Sequence, residues 1–406
     1  MNNRNIINAL LVVFLVSTSL GQAPATETQG GTIENKFPEF SWDYIPRYMH
    51  VYKQTAYTDE EIEFLSSFPF ITFEKAQGTA EGSVQKGTLK AARAVKKHNP
   101  NIKVLYYKNI VIDWPGSASS GTLETIEGGY LQSEDGTYPT VNENSRSRFF
   151  DISLPAVQAW WMKDATQMLG DPSIDGIFID ANIKVLEKGY FERGKKVGEE
   201  KAEDLIKGYH HLLSKINEEI RPQNIILANL IRARFETGGL DYLHYFDGSY
   251  LEGFEHEVGG VSKVDYVAKG IAHAQEAARR GKLLAFTAGL GEAIDEDSSG
   301  IGLDETRRSV SNLEAVEERL NYLTALFLVI AEKYTYFYPH DGFVVRAKGH
   351  GEQINRTWMH DFPIFKKRLG PPKGPAIKEG YLYTREFEHC SVWLDIEQEQ
   401  GKLSWK

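Results

Sequence analysis

Two short apolar runs in this chain of 406 residues end in a carboxylate. One reads Gly176-Ile-Phe-Ile-Asp180-Ala-Asn182; the other, Tyr245-Phe-Asp247-Gly-Ser-Tyr-Leu-Glu252-Gly253, delivers a Glu in the same way. A pair of such groups can attack an anomeric carbon or activate water with one member while the other, kept protonated, hands a proton to the departing oxygen. Asp180 and Glu252 are therefore the first candidates for a catalytic pair cleaving glycosidic bonds, with Asp180 as nucleophile or base and Glu252 as general acid. Glu255 is a weaker contender for the second place. The competing reading of Asp180 is a helix cap or loop anchor, and of Glu252 a salt-bridged loop residue.

Further polar residues close other runs of the same kind: Glu74 and Lys75, Lys108 and Asn109, Asn229, and His340 with Asp341. With Asn182, Asp247 and Asp151 of Phe149-Phe-Asp151-Ile-Ser153, they form the expected substrate-binding set. Each alone reads more simply as a hydrogen-bonding residue, His340 as a structural histidine and Asp151 as the turn that starts a helix. A lysine amine at Lys75 or Lys108 would instead suit a Schiff-base aldolase or lyase. A barrel that binds glycan without cleaving it is the non-enzymatic alternative. No GxSxG elbow, phosphate loop or His-Glu-x-x-His zinc motif occurs, so no metal or cofactor is expected.

Strand ends matter only if the strands converge, and the chain is built to make them do so. Eight runs rich in β-branched and aromatic residues, each followed by a helical pattern, mark repeated βα units. They cover residues 47–53, 69–75, 102–109, 174–182, 224–231, 245–252, 282–289 and 333–341. The fold class is α/β, a (β/α)8 barrel, whose strand C-termini meet at one mouth. Thr58-Asp-Glu-Glu61 is a capping box, Ser153 and Pro155 open another helix, and Ala202, Leu205, Ile206, Tyr209, Leu212, Leu213 and Ile216 share one helical face. The long Gly-, Ser- and Thr-rich insertion from Asn109 to Phe150 follows the third strand and is expected to shape the cleft.

At the front, Arg4, the apolar run Ile6–Val16 and Ser19-Leu20-Gly21 read as a signal peptide, residues 1–21, too short to span a bilayer. Residues 22–40 read as a flexible leader, 41–368 as the barrel, and 369–406 as a small β-hairpin packed on it. The expectation is an exported chain, periplasmic or extracellular, with no membrane partner after cleavage. Cys390 is the only cysteine, so no intrachain disulfide can form. A net charge of −10 argues against nucleic acid. Aromatics at 12%, including 20 Tyr and 7 Trp, supply flat faces for sugar rings as well as core, so the expected partner is a carbohydrate substrate.

The segments Pro69-Phe-Ile-Thr-Phe-Glu74-Lys75, Arg148-Phe-Phe-Asp151-Ile-Ser153, Asp175-Gly-Ile-Phe-Ile-Asp180-Ala-Asn182 and Phe246-Asp247-Gly-x-x-x-Glu252 resemble those of hypothetical glycosyl hydrolase family fifteen. Arg385-Glu-Phe387 ahead of an alternating strand is similar too. The resemblance implies a (β/α)8 barrel that hydrolyses carbohydrate, with the carboxylates of the fourth and sixth strands, here Asp180 and Glu252, as the pair. Unlike the amylase-like barrels, this chain ends its fifth strand in Asn229 rather than Glu.

Overall fold

The computed structural model describes residues 36–187, 189–252, 261–289, 313–339, 344–345, 359 and 362–406. Eight parallel strands pair strictly in chain order: β1 Met49–Lys53, β2 Phe70–Phe73, β3 Lys103–Asn109, β4 Gly176–Asp180, β5 Ile225–Asn229, β6 Gly248–Glu252, β7 Leu283–Ala288 and β8 Thr335–Pro339. The seam between β8 and β1 is closed at two levels. Phe337 N–H donates to Pro46 O, and Val344–Val345, just beyond β8, pairs in parallel with Tyr52 and Lys53. All eight expected runs are strands, trimmed by one to three residues at their ends.

Between the strands run α1 Asp59–Ser66, α2 Val84–His98, α3 Pro155–Leu169, α4 Glu199–Lys215, α5 Lys263–Arg279 and α6 Leu313–Ile330. Thr58 and Glu61 form the capping box read from the sequence, each side chain bonding the other's backbone N–H. Both faces of the sheet are buried, as a parallel sheet between helices and a barrel interior requires. Alternate residues point into the barrel, where Tyr48, Phe70, Leu105, Tyr107, Phe178, Leu227, Tyr250, Leu283 and Tyr336 fill it. The opposite faces pack under the helices. The barrel interior is thus a packed core and not a pore.

Two boundaries differ from expectation. The leader does not run unbroken to residue 40: Phe37 is 6% exposed and joins the barrel interior, and Lys36 Nζ bonds Arg221 O at 2.7 Å. Two phenylalanines at Phe37 and Phe40, placed against Tyr334 and Tyr336, outweigh the polar composition before them. The C-terminal extension is not a hairpin but a four-stranded antiparallel sheet, β9 Ile377–Glu379, β10 Leu382–Glu386, β11 Cys390–Asp395 and β12 Gln400–Trp405. Its buried face lies on α6, where Arg385 Nη1 donates to Leu328 O and Ala331 O. That use of Arg385 covers the carbonyls that the end of a helix leaves without partners. No helix among the described residues is long and apolar enough to cross a membrane.

Candidate active site

Strands β4 and β6 are built alike. Each is five residues long, starts with a glycine and ends in a half-buried carboxylate. A Cβ on Gly176 would stand 2.1 Å from Ile225 O, and one on Gly248 would stand 1.7 Å from Leu283 O, so only glycine lets each strand approach its neighbour. Four residues on, at the C-terminal end, Asp180 and Glu252 face the mouth.

Asp180 is held from both sides. Its Oδ2 accepts the Tyr107 hydroxyl at 2.6 Å, and Oδ1 accepts the Ala181 N–H at 2.7 Å. Ala181 adopts φ 64°, the left-handed region that costs a residue with a Cβ roughly 1 kcal/mol or more. This strained turn swings its N–H back onto the carboxylate. Asn229 Nδ2 lies 3.3 Å from Asp180 Oδ1 and 2.8 Å from Glu252 Oε2, so these two facing oxygens are at most about 6 Å apart. The amide thus turns its donating nitrogen toward both carboxyl groups. Arg232 Nη2 completes the group at 2.6 Å from Glu252 Oε2, forming an ion pair in which both side chains are largely buried.

The β2 end forms the third side. Glu74, 4% exposed, accepts from Lys75 Nζ and from Lys75 N–H, both at 2.8 Å, with His50 Nε2 at 4.0 Å. Burial alone would raise the Glu74 carboxyl, but Lys75 and His50 outweigh it and hold it below the usual range. Burial would likewise lower Lys75, yet Glu74 and Asp180 together push its ammonium well above the ordinary lysine value. Lys75 is thus a fixed cation beside Asp180, lying over the rings of Tyr107 and Trp114. His50 stacks on Tyr250 beneath this layer and accepts or donates at Nδ1 to the Tyr48 hydroxyl. Burial, followed by the charges of Asp180 and Glu74, raises the Tyr107 phenol far above its normal value, so it stays a neutral donor.

Of the expected residues, Asp180, Glu252, Asn229, Glu74 and Asn109 gather here, Asn109 through its Nδ2 bond to the Tyr107 hydroxyl at 3.0 Å. Four others are corrected. Lys108 is one residue out of phase with Tyr107 and turns outward, where its Nζ pairs with Asp164 Oδ2 at 2.5 Å between Trp160 and Trp161. Asn182 also points outward, fully buried, taking the Tyr209 hydroxyl at 2.9 Å and donating to Ile179 O. Asp151 caps the turn before α3 through Ser153 and pairs with Lys201. Asp247 precedes β6 and therefore sits at the opposite end of the barrel, with Arg221, Lys36 and the Ile226 N–H around it. His340, Asp341 and Glu255 lie outside the described residues. Tyr107, Trp114, Arg232 and His50 were missed; Tyr107 and His50 could have been found from the period of two that places Asn109 and Tyr52 inward. Among the described residues, no group of His, Cys, Asp and Glu could hold a metal ion.

In comparisons with known proteins, none of the curated proteins matches. Among solved structures, the chain is similar to the glycoside hydrolase domain of PelA from Pseudomonas aeruginosa, at 13% identity over 76% of this chain and 99% of that one, with a TM-score of 0.45. It is similar as well to a noncanonic maltogenic α-amylase, AmyB, from Thermotoga neapolitana (11% identity, 87% and 86% covered, TM-score 0.48). A third likeness is to the α-galactosidase AgaA of Geobacillus stearothermophilus (9% identity, 86% and 47% covered, TM-score 0.46). The sequence model of hypothetical glycosyl hydrolase family 15 matches residues 96–391, from the end of the second helix into the C-terminal sheet. The chain is a glycoside hydrolase and belongs to hypothetical glycosyl hydrolase family 15.

Proposed function

We propose that the protein is an exported hydrolase of a poly- or oligosaccharide that works by double displacement with retention, with Asp180 as nucleophile and Glu252 as acid/base. The observation that carries this reading is the single Asn229 amide in reach of both carboxylates. It limits their facing oxygens to about 6 Å, near the roughly 5–5.5 Å of retaining enzymes and short of the roughly 6.5–9.5 Å that leaves room for an attacking water. In the first step Asp180 attacks the anomeric carbon as Glu252 gives its proton to the leaving oxygen. In the second, Glu252 takes a proton from water, which displaces Asp180 from the sugar. Tyr107 and the Ala181 N–H hold the nucleophile in line, Arg232 takes up the Glu252 charge that forms once the proton has left, and Lys75 offers a cation to sugar hydroxyls beside the bond being broken.

The lysine aldolase reading loses its support. Lys108 is committed to Asp164 outside the barrel, and Lys75, with its raised pKa, holds its proton too firmly to attack a carbonyl. Export rests on Arg4, the Ile6–Val16 run and Ser19-Leu20-Gly21. The chain from Gln22 onward, screened against plant, microbial and algal polysaccharides, is expected to release reducing ends, and neither Asp180→Asn nor Glu252→Gln is expected to do so. Proton NMR of the first-formed product should give the anomer of the substrate. The opposite anomer would overturn retention, and glycan binding with no release from any polymer would replace the hydrolase reading with that of a binder.

A further inference from the structure

The Tyr107 hydroxyl has three polar neighbours among the described residues and only one proton. Trp114 Nε1 lies 3.1 Å from it and Asn109 Nδ2 lies 3.0 Å from it. Both are N–H groups; an indole nitrogen can only donate, and the Asn109 Oδ1 is already taken by the Val111 and Ile112 N–H groups. With both lone-pair positions filled by donors, the Tyr107 proton has one acceptor left, Asp180 Oδ2 at 2.6 Å. Chains of this kind polarise one another, so each donor to the hydroxyl strengthens the bond it makes to the carboxylate.

Trp114 does not belong to a barrel strand. It follows the two-residue strand Ile112–Asp113, which pairs with Arg148–Phe149 and so joins the two ends of the long insertion. Its neighbour Asp113 accepts the hydroxyls of Tyr130 and Ser120, both at 2.6 Å. The indole ring reaches from this anchored base into the mouth, where it packs against the barrel interior and lies under the Lys75 ammonium.

We propose that Trp114 is a positioning residue: by donating to Tyr107 it fixes the direction of the phenol proton toward Asp180 and couples the insertion to the nucleophile. The inference rests on Asp180 being that nucleophile. Asp180 charge developing or disappearing during the two displacement steps is then answered by a bond whose geometry the insertion sets.

Two measurements test it. On the glycan the wild type cleaves, Tyr107→Phe should lower kcat/KM roughly 10- to 100-fold and Trp114→Phe, which keeps a ring but loses the N–H, roughly three- to tenfold. The double variant should be no slower than Tyr107→Phe, since Trp114 acts only through that hydroxyl. Multiplying losses would overturn the relay and make Trp114 a stacking or packing residue. If Asp180→Asn keeps activity, it is the nucleophile assignment that fails, whatever the cycle gives. Independently of any substrate, the indole ¹H–¹⁵N resonance lost in Trp114→Phe should be displaced in Tyr107→Phe, which removes its acceptor, and also in Asp180→Asn, which changes the acceptor's own partner; a resonance unmoved in both variants would overturn the proposal.

Discussion

Strand β3 carries two tyrosines side by side, and each gives its hydroxyl to an aspartate on a different side of the sheet. Tyr107 points inward to Asp180 at 2.6 Å, and Tyr106 outward to Asp164 at 3.2 Å. The outer carboxylate is saturated: Lys108 and Gln85 also reach it, and Trp160 and Trp161 seal the ammonium. Burial would raise Asp164, but Lys108 outweighs it and leaves it lowered. The inner carboxylate keeps part of its surface at the mouth and shares a single amide with Glu252. The same Tyr–Asp pair is thus a strut where its charge is cancelled in a closed space, and a reactive group where a second carboxylate stands opposite and a ligand can enter.

Exchanging the two aspartates for asparagine should separate the roles most widely. Asp180→Asn is expected to reduce turnover on the order of 10⁴-fold or more, while its denaturant unfolding free energy shifts by less than about 1 kcal/mol. Asp164→Asn should do the reverse, costing about 3–5 kcal/mol because Lys108 is left buried without a counter-charge, with activity of the folded fraction within about tenfold. Loss of fold in the first or of turnover in the second would break the comparison.

Acid titration sharpens it next. Asp164 and Glu74 both have folded-state pKa values below those of the unfolded chain. Their stabilisation is complete above the unfolded values of about 4 and is lost as the pH falls through the folded ones. Unfolding free energies measured from pH 6 down to pH 2.5 should therefore drop, and drop less steeply in Asp164→Asn. A smaller effect is expected of Tyr106→Phe, about 1 kcal/mol of stability with kcat/KM unchanged, against the rate loss of Tyr107→Phe. The smallest concerns Cys390, fully buried and with its thiol pushed up to about 12 by burial. It should resist a thiol reagent at pH 8 in the folded protein and react once denatured.

Much of this site was legible in the residues. The runs Gly176–Asp180 and Gly248–Glu252 stood out because a buried apolar strand can end in an acid only where the chain comes out at a rim, and Asn229 and Glu74 followed from the same rule. The misreadings have separate causes. A parallel barrel buries both faces of each strand, so Val104, Leu105, Tyr106 and Tyr107 are all buried and no alternation of polarity says which face is inside. Lys108, one residue out of phase with Tyr107, is for that reason easily assigned to the mouth, whereas Asn182 keeps the phase of Asp180 and is turned outward by the left-handed Ala181 that ends the strand. Asp247 failed differently: the strand begins after it, and four residues along a strand carry a side chain from one end of the barrel to the other.

What the sequence determined by itself was the repetition of βα units, the helix starts and the strands whose ends carry acids, since these depend on local pattern and on nearest neighbours along the chain. The tertiary structure alone decided that Asn229 bridges two carboxylates, that Arg232 covers one of them, and that Trp114 reaches Tyr107 from an insertion. Those are distances between residues set by barrel closure and strand stagger, and no local period encodes them.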